Sequence, residues 1–503
     1  MINKKVLLCI LDGWGVGLHN SGNAISVANT KTYDYLLKKY PNTILKASEN
    51  DVGLPKGQFG NSEVGHMNIG AGRVILQDIL RINESIKNGQ LASNDLLKTM
   101  RNKCKVINII ALISKGGVHG HSDHLYALIN SLVSNENKIN LHCILDGRDS
   151  PPTNGIHDIN ELTGRIEDIK NVCIASISGR YFVMDRDNRW DRIKFAYDNI
   201  IEGICNHKFT CPKKAITESY QQSLTDEFFS PTCSINFNGV KDNEGLIVTN
   251  YRADRVRQFL TSIFEKKFDF FDRKRFVSFS HSLGMVEYSR ALNKYMNSIF
   301  KQQEIRGTLG EVISGTGLNQ LRIAETEKYA HVTYFFNGTR EDNFDNEDRI
   351  LVPSPRVKTY DLCPEMSCFE VTRKIIESLN RKNHNFILSN YANTDMVGHT
   401  GNMDATIKAV EAVDFCIERI YASCKENGYT LVITSDHGNA DLMYDKILDE
   451  VCTTHSMNPV PFIICTDAKL GLKEGRLGDI APTILDLMKI SKPNEMSGTS
   501  IIK

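Results

Sequence analysis

The sequence predicts a doubly wound α/β protein with more than one domain. Short apolar runs, each about the length of a buried strand, alternate with amphipathic stretches through most of the chain. Strand–helix alternation of this kind is typical of mostly parallel sheets that are covered by helices on both faces. The chain has 503 residues, which is too many for one compact core and indicates roughly two to four domains.

The composition is that of an ordinary globular protein, and it excludes some classes of partner. Hydrophobic residues make up 41% of the chain and charged residues 24%. Lysine plus arginine and aspartate plus glutamate both number 60, so the molecule as a whole attracts neither nucleic acid nor an anionic membrane. No apolar stretch approaches the roughly 18 residues that a membrane span needs. An anionic substrate would therefore have to be bound by local clusters of positive charge.

The cysteines and the N-terminal apolar run predict a cytoplasmic protein. The 13 cysteines are scattered along the chain without a CxxC pair, which favours free thiols in a reducing compartment. The apolar run at 6–11 is short and ends at Asp12 without a small-residue cleavage site. We therefore interpret it as a buried strand and not as a signal peptide.

Several apolar runs are predicted to be buried parallel strands. They lie at 6–11, 106–113, 141–145, 172–177, 246–249, 331–336, 386–389, 431–434 and 461–465. The clearest helical pattern starts near Asn402, carries apolar residues at spacings of three and four from Ile407 to Ile420, and stops at Gly428. In a doubly wound sheet, functional groups are expected in the loops beyond the carboxyl ends of the strands.

Acidic and imidazole side chains stand beside several of these strands and could form a metal centre. The candidates are Asp12, Asp395, His399, Asp436, His437 and His455. Mixed carboxylate and imidazole ligands suit Zn²⁺ or Mn²⁺ better than Ca²⁺ or Mg²⁺. Such a set is enough for about two ions, which can clamp the oxygens of an in-line phosphoryl transfer. Taken singly, each residue could be a helix cap, a turn or a surface pair, but their shared position at strand ends favours the metal centre.

Ser62 lies in a glycine-dense loop, FGNSEVGHMNIGAGR (59–73), and is the candidate nucleophile. A serine at a helix N-terminus presents its hydroxyl beside free backbone N–H groups, which favour a phosphate. Coordination to a metal ion is one way to make this weak nucleophile reactive. The structural alternative is that Ser62 is the N-cap of a helix, a position that serine often occupies.

The motifs around these residues resemble those of the cofactor-independent phosphoglycerate mutases, a family of the alkaline-phosphatase superfamily. The resemblance covers essentially the whole chain and is carried by LCILDGWG (8–15), the 59–73 loop, GGVHGHSDHL (116–125), LDGRDSPP (145–152), GRYFVMDRDNRWDR (179–192), NYRADR (250–255), ETEKYAHVTYFFNG (325–338), PSPRVKTYDL (353–362), DMVGHTGN (395–402), TSDHGNAD (434–441) and THSMNPVP (454–461). Two positions depart from the family pattern, which usually has Ser at Gly120 and Thr at Val286.

The resemblance implies an alkaline-phosphatase-like doubly wound sheet into which a second α/β domain is inserted. Residues 1–76 plus 306–503 would form the phosphatase-like, metal-binding domain. Residues 77–305 would form the inserted transferase-like, substrate-binding domain, joined to the first by two crossings that act as hinges.

By the same resemblance, each candidate residue receives a role. The first metal ion would be held by Asp395, His399 and His455, and the second by Asp12, Ser62, Asp436 and His437. Lys328 would neutralise phosphate charge, and Asp149 would move a proton between the hydroxyls of the glycerate. The other residues expected to bind substrate are His119, Arg148, Arg180, Arg186, Arg252 and Arg255. Arginine suits this task because its planar fork matches a carboxylate. Arg189 and Arg192 are interpreted as surface ion pairs instead.

The implied activity is the interconversion of 3-phosphoglycerate and 2-phosphoglycerate through phosphoserine, in glycolysis and gluconeogenesis. It would use two divalent ions, with Mn²⁺ the first choice and Mg²⁺ or others possible, and no 2,3-bisphosphoglycerate. We expect a monomer that binds neither nucleic acid nor a membrane. The alternatives are another phosphomonoesterase or phosphosugar mutase of the superfamily and, from a different class, a non-catalytic metal-binding protein. Interconversion without added bisphosphoglycerate separates these hypotheses, and the arginine-bearing insert favours the mutase.

Overall fold

The structure, a computed structural model, describes residues 5–445 and 449–503. The chain divides into two compact units. Unit 1 comprises the described residues of Met1–Gln77 and Glu304–Lys503, and unit 2 comprises Asp78–Gln303. These boundaries are close to those expected from the sequence, but the assignment of one domain to metal binding and the other to substrate binding stays a prediction.

The strands in chain order are β1 (Val6–Leu11), β2 (Asn42–Lys46), β3 (Val106–Ile113), β4 (Lys138–Leu145), β5 (Val172–Gly179), β6 (Lys208–Phe209), β7 (Thr232–Ser234), β8 (Gly245–Val248), β9 (His281–Val286), β10 (Asn297–Phe300), β11 (Gln320–Glu325), β12 (Glu347–Val352), β13 (Phe386–Tyr391), β14 (Thr430–Thr434), β15 (Tyr444–Asp445), β16 (Glu450–Val451), β17 (Val460–Cys465) and β18 (Gly475–Arg476).

The α-helices are α1 (Ala24–Val27), α2 (Lys31–Lys39), α3 (Ser62–Ala71), α4 (Asp78–Lys87), α5 (Asp95–Lys103), α6 (Ser122–Leu132), α7 (Gly155–Ile166), α8 (Arg180–Val183), α9 (Trp190–Tyr197), α10 (Pro212–Gln221), α11 (Arg257–Phe264), α12 (Leu309–Gly315), α13 (Thr326–Ala330), α14 (Cys368–Arg381), α15 (Asn393–Gly398), α16 (Met403–Asn427) and α17 (Ile480–Met488). Short 3₁₀ turns lie at Glu49–Val52, Asp226–Phe228, Leu292–Lys294, Tyr360–Leu362 and Leu477–Asp479, and π-helices at Asp198–Glu202 and His331–Phe335.

The sheet of unit 1 has the strand order β12–β11–β13–β1–β14–β17–β2–β18. The first five strands are parallel, whereas β17 runs antiparallel to both β14 and β2. Every residue of β1 is buried, and its side chains alternate between the two faces of the sheet. Leu7 and Leu11 pack with α14 and α16 on one face, while Leu8 and Ile10 pack with α12 and α17 on the other. The sheet is therefore covered on both sides, as its continuous apolar run requires.

The sheet of unit 2 has the strand order β10–β9–β8–β3–β4–β5–β7–β6. Its first six strands are parallel, and β7 joins β5 in the antiparallel direction. The central strands β3 and β4 are almost entirely buried within one apolar core. Both units therefore confirm the α/β class that the sequence predicts.

Two predicted strands differ from the structure. The segment 331–336 is not a strand, because its residues His331–Phe335 form a π-helix. Val332 and Phe336, which are four residues apart, are both fully buried, and this spacing is helical. Periodicity alone does not separate a buried helical turn from a strand in so short an apolar run. The run at 461–465 does form a strand, β17, but an antiparallel one.

The predicted helix between Asn402 and Gly428 is confirmed as α16. The Asn402 side chain accepts a hydrogen bond from the backbone N–H of Ala405 at 3.1 Å, which caps the first turn. Gly428 has a φ of 71° and ends the helix in the left-handed region, where a glycine meets no Cβ penalty. Among the described residues, no helix combines the length and the apolar character needed to cross a membrane.

Acid should destabilise unit 2 through His142, which lies inside the sheet on β4. Burial lowers the pKa of its imidazole from 6.5 to about 3. Below pH 6.5 the unfolded chain therefore binds a proton at His142 that the folded protein does not bind. The contribution of His142 to the free energy of unfolding is thus complete above that pH. It is lost as the pH falls toward 3, at up to about 1.4 kcal/mol per pH unit.

Urea unfolding of the wild type and of His142→Gln between pH 7 and pH 4 checks this expectation. The unfolding free energy of the variant should fall less steeply with acid, because glutamine does not titrate. His157→Gln, at an exposed histidine of the same unit, should keep the wild-type slope. Parallel curves for the wild type and His142→Gln would contradict the assignment.

Candidate active site

The predicted metal ligands lie at one edge of the unit 1 sheet. Strands β13, β1 and β14 are parallel neighbours, so their carboxyl ends meet at the same edge. Asp12 follows β1, Asp436 follows β14, and Asp395 lies on α15, directly after β13. His455 precedes β17, and because β17 is antiparallel to β14, its beginning reaches the same edge.

Asp395, His399 and His455 form the first ligand group, with one ligand atom of each within 4.8 Å of the others. The Nε2 atoms of His399 and His455 lie 3.1 Å apart, and each is 3.2 Å from Oδ1 of Asp395. Asp395 lies on α15 and His399 is the C-cap of that helix, one helical turn later, so the two side chains lie on the same side. All three residues are those that the family resemblance assigns to the first ion.

The hydrogen bonds behind the two rings fix how the first group can bind a cation. His399 Nδ1 lies 2.8 Å from the carbonyl oxygen of Thr453, and His455 Nδ1 lies 2.8 Å from that of Gly60. A carbonyl only accepts, so each Nδ1 carries a proton, and each Nε2 faces Asp395 and can offer its lone pair to a cation once it gives up any proton that it shares with that carboxylate. The hydrogen bond with Asp395 raises the pKa of His399. Three converging acceptors of this kind fit a divalent transition-metal ion.

Asp12, Asp436 and His437 form the second ligand group, and all three are fully buried. His437 Nε2 lies 3.4 Å from Asp12 Oδ1 and 3.5 Å from Asp436 Oδ2. Burial alone would lower the pKa of His437, but the Asp436 charge and the hydrogen bond with Asp12 outweigh it and raise the pKa to about 9. Asp436 Oδ2 accepts no hydrogen bond from the described residues, so this buried oxygen is available to a cation.

Ser62 joins the second group through its hydroxyl. It is the first residue of α3, and the N-cap is its neighbour Asn61, whose side chain accepts from the N–H of Val64 at 3.0 Å. The interpretation of Ser62 as the cap is therefore wrong, and its hydroxyl is left for other contacts. Ser62 Oγ lies 2.9 Å from His437 Nε2. Gly65 permits this arrangement, since a Cβ there would lie 2.7 Å from the carbonyl oxygen of Asp436.

Lys328 contacts both ligand groups. Its ammonium donates to Asp12 Oδ1 at 2.7 Å, to Ser62 Oγ at 2.7 Å and to Asp395 Oδ2 at 2.6 Å. Burial alone would lower the pKa of Lys328, but the two carboxylates outweigh it and hold the pKa above its usual range. Burial would likewise raise the pKa of Asp12, yet the Lys328 charge keeps that pKa far below the usual range. The ammonium is therefore charged and directed at the candidate nucleophile.

Sequence reasoning missed two asparagines that contact the ligands. Asn390 donates to Asp12 Oδ2 at 2.7 Å, and Asn439 donates to Asp395 Oδ1 at 2.9 Å. Both asparagines are fully buried. Asn390 carries a signal in the sequence, because it is an amide near the end of a mostly apolar strand and next to a ligand-bearing loop, where a buried polar group must find a partner.

The predicted substrate-binding residues of unit 2 lie beyond the carboxyl ends of β8, β3, β4 and β5, which are neighbouring parallel strands. Arg180 is buried and donates to Asp146 and Asp149. His119 lies 3.9 Å from Asp149 and 4.0 Å from Asp254. Burial, aided by the Arg180 charge, lowers the pKa of His119 to about 4, so its imidazole is neutral near pH 7.

Asp254 connects two more of these arginines. It accepts from Arg186 at 2.8 Å and lies 3.1 Å from Arg252. Burial, together with the charges of Arg186, Arg148 and Arg180, lowers the pKa of Arg255. The four arginines are therefore close enough for their positive charges to act on one another. The predicted residues are thus brought together into one cationic cluster.

The remaining arginines and the departures from the family pattern lie outside this cluster of contacts. Arg189 pairs with Asp191 at the surface, as interpreted, whereas Arg192 pairs with Asp185, whose side chain is only 1% exposed, so that this ion pair is largely buried. A Cβ on Gly120 would lie 3.3 Å from Leu112 Cβ, a tight contact that a small movement could relieve. Val286 is the last residue of β9.

Removal of one ligand should abolish one of two metal sites. His399 is suited to this test because its side chain is 40% exposed and the fold does not depend on its burial. Calorimetric titration of metal-free protein with Mn²⁺ should give two bound ions for the wild type and one for His399→Ala, since the second group remains intact. His157→Ala, at an exposed histidine, should still bind two. An unchanged stoichiometry in His399→Ala would contradict the assignment of the first group.

Comparison with known proteins identifies the family. The Metalloenzyme superfamily model matches residues 4–492. A 2,3-bisphosphoglycerate-independent phosphoglycerate mutase of Ehrlichia ruminantium (strain Welgevonden) is 45% identical over 505 residues, with 100% of this chain and 99% of that protein covered. The corresponding protein of Wolbachia pipientis wMel is 46% identical, with 99% of this chain and 98% of that protein covered.

A solved structure agrees with these relatives. The crystal structure of Leishmania mexicana phosphoglycerate mutase at low cobalt concentration has a TM-score of 0.68 to this protein and is 29% identical. The match covers 100% of this chain and 98% of the other. Since the similarity extends over nearly the full length of the relatives at 45–46% identity, the chain belongs to the 2,3-bisphosphoglycerate-independent phosphoglycerate mutase family of the metalloenzyme superfamily.

Proposed function

We propose that the protein interconverts 3-phosphoglycerate and 2-phosphoglycerate through a phosphoserine on Ser62, without 2,3-bisphosphoglycerate. The observation that carries the proposal is the environment of the Ser62 hydroxyl, 2.9 Å from His437 and 2.7 Å from the Lys328 ammonium. The names of the full-length relatives support the same reaction. This activity is that of an isomerase, an intramolecular phosphotransferase of glycolysis and gluconeogenesis.

The first half of the reaction takes place at Ser62. Ser62 reacts as the alkoxide, after its hydroxyl proton has passed to solvent: its Oγ attacks the phosphorus of 3-phosphoglycerate, the bond from phosphorus to the glycerate O3 breaks, and O3 takes up a proton. Lys328 donates to Oγ and, with its positive charge, stabilises the charge that develops on the phosphoryl oxygens. Divalent ions held by the two ligand groups would lower the pKa of the serine hydroxyl and neutralise phosphate charge.

The second half requires that the glycerate stays bound while its other hydroxyl replaces the first. The arginines of unit 2 hold the glycerate carboxylate, and Asp149 supplies the proton to O3 and takes one from O2. O2 then attacks the phosphoserine, the bond from phosphorus to Oγ breaks, and 2-phosphoglycerate is formed while Ser62 returns to the alkoxide. Guanidinium groups that hold the glycerate suit this task, because water would hydrolyse the phosphoserine if the glycerate dissociated.

The proposal extends to the metal, the oligomeric state and the compartment. Nitrogen and oxygen ligands in both groups favour Mn²⁺ or a similar transition-metal ion over Ca²⁺. All 13 cysteines are free thiols, which supports a reducing, cytoplasmic compartment. Each unit has its own buried sheet and core, so a monomer can carry the reaction.

Ser62→Ala should abolish interconversion of the phosphoglycerates, because it removes the hydroxyl that takes up the phosphoryl group. The assay is run without 2,3-bisphosphoglycerate and is repeated with each divalent metal ion in turn. Rapid quenching of the wild-type reaction should trap phosphoserine at position 62. Ser93→Ala, at an exposed serine, should retain full activity. Release of inorganic phosphate without interconversion would instead establish a phosphatase.

Arg252→Ala should weaken retention of the glycerate. Loss of a charge-assisted hydrogen bond of about 1.5–3 kcal/mol should raise KM or lower kcat by roughly tenfold to a hundredfold. The ratio of phosphate release to interconversion should rise, because more phosphoserine meets water. Arg189→Ala is the matched control, since Arg189 is also exposed and paired with an aspartate. Equal effects of the two variants would refute the role of Arg252.

A further inference from the structure

His66 is a completely buried histidine whose ring lies against the second ligand group. It is on α3, one helical turn after Ser62. Its Nδ1 lies 2.9 Å from the backbone carbonyl oxygen of Ser62 and 3.2 Å from Asp436 Oδ2. Its Nε2 lies 3.0 Å from the side-chain amide of Asn390. The ring therefore contacts three separate parts of the site, which are helix α3, strand β13 and the loop that follows β14.

Asn390 determines which ring nitrogen carries the proton. Its Nδ2 has two N–H groups, of which one donates to Asp12 Oδ2 at 2.7 Å and the other points to His66 Nε2. The reverse orientation of the amide would turn its oxygen toward the Asp12 carboxylate, and two acceptors would then face each other. His66 Nε2 is therefore an acceptor, and the proton lies on Nδ1.

The Nδ1 proton completes a connection across the site. The N–H group at Nδ1 donates to the carbonyl oxygen of Ser62. Its positively polarised hydrogen also lies beside Asp436 Oδ2, which forms no hydrogen bond with the described residues. The N–H dipole of His66 thus stabilises the negative charge of Asp436, while Oδ2 remains available to bind a cation. The chain Asp12–Asn390–His66–Ser62 adds to the direct contacts of Lys328 in holding the carboxylate after β1 near the serine that opens α3.

We propose that His66 and Asn390 are positioning residues, which hold Asp12, Ser62 and Asp436 in register before a divalent ion binds. Groups that orient metal ligands in this way are typically worth about 10–100-fold in metal affinity. An apolar side chain of similar size would fill the same space but leave Asn390 without its acceptor and the Asp12 carboxylate less restrained. This inference rests on the proposed function only for its assay of activity, and its metal-binding readout is independent of that function.

The test measures Mn²⁺ binding to the second group alone. His399→Ala serves as the background, since it disables the first group, and His66→Leu, His66→Asn and Asn390→Ser are added to it. Calorimetric titration of the metal-free proteins should show affinity about 10–100-fold weaker for His66→Leu and Asn390→Ser. His66→Asn should recover part of this loss, because its amide places an N–H donor near the position of Nδ1, although it does not restore the acceptor that Asn390 loses.

A matched control separates positioning from general damage to the core. His124 is also a fully buried histidine on a helix, bonded through Nε2 to Asn83 at 2.7 Å, but it lies in unit 2. His124→Leu in the same background should bind Mn²⁺ as the background does. Thermal unfolding of each metal-free variant confirms that the titrated protein is folded, and Asn390→Ser serves where His66→Leu does not fold.

Two results would overturn the proposal. One is an affinity within about twofold of the background in folded His66→Leu or Asn390→Ser. The other is an equal loss in His66→Leu and His66→Asn, which would show that the Nδ1 donor has no part in the effect. In the otherwise wild-type protein, the kcat of His66→Asn at saturating Mn²⁺ should approach that of the wild type. If the protein proved to be no mutase, the titrations would still decide the role of His66.

Discussion

Three carboxylates buried at one edge of a sheet are the constraint on which the site of unit 1 depends. Asp12, Asp395 and Asp436 are each at most 2% exposed, and an ionised carboxylate is costly to bury without a partner. Lys328 supplies one positive charge against these three, and His437, with its pKa raised to about 9, supplies a second near pH 7. The surplus of negative charge opposes folding of the metal-free protein and, for the same reason, attracts divalent ions. Metal binding and folding stability are therefore coupled in this unit.

Much of this centre could be predicted from the sequence, because its ligands stand next to recognisable strands. Asp12 comes directly after an apolar run, and Asp436 follows another, so each could be placed at a strand's carboxyl end without a structure. The order of the strands could not be predicted in this way. That β13, β1 and β14 are neighbours depends on packing between distant segments, and only the resemblance of the motifs to a known family grouped their ligands beforehand.

Other features could not be predicted because they depend on contacts across the fold. The apolar run 331–336 satisfies either a strand or a helical turn, and only its packing beside α3 selects the π-helix. Ser62 and Asn61 are both good helix caps, and the position of the first hydrogen-bonded turn decides between them. His66 differs again, because a buried histidine receives its proton position from Asn390, a partner 324 residues away in the chain.

The pairing of Asp254 with Arg186 and Arg252 has a consequence for recognition in unit 2. These guanidinium groups already hold a carboxylate that the chain itself supplies. A ligand carboxylate that binds there competes with an internal mimic, so binding is an exchange of one anion for another and not the capture of an anion by free cations. Such an exchange is selective, because small inorganic anions of weak basicity gain little by displacing a tethered carboxylate, whereas a ligand that also satisfies neighbouring groups gains more.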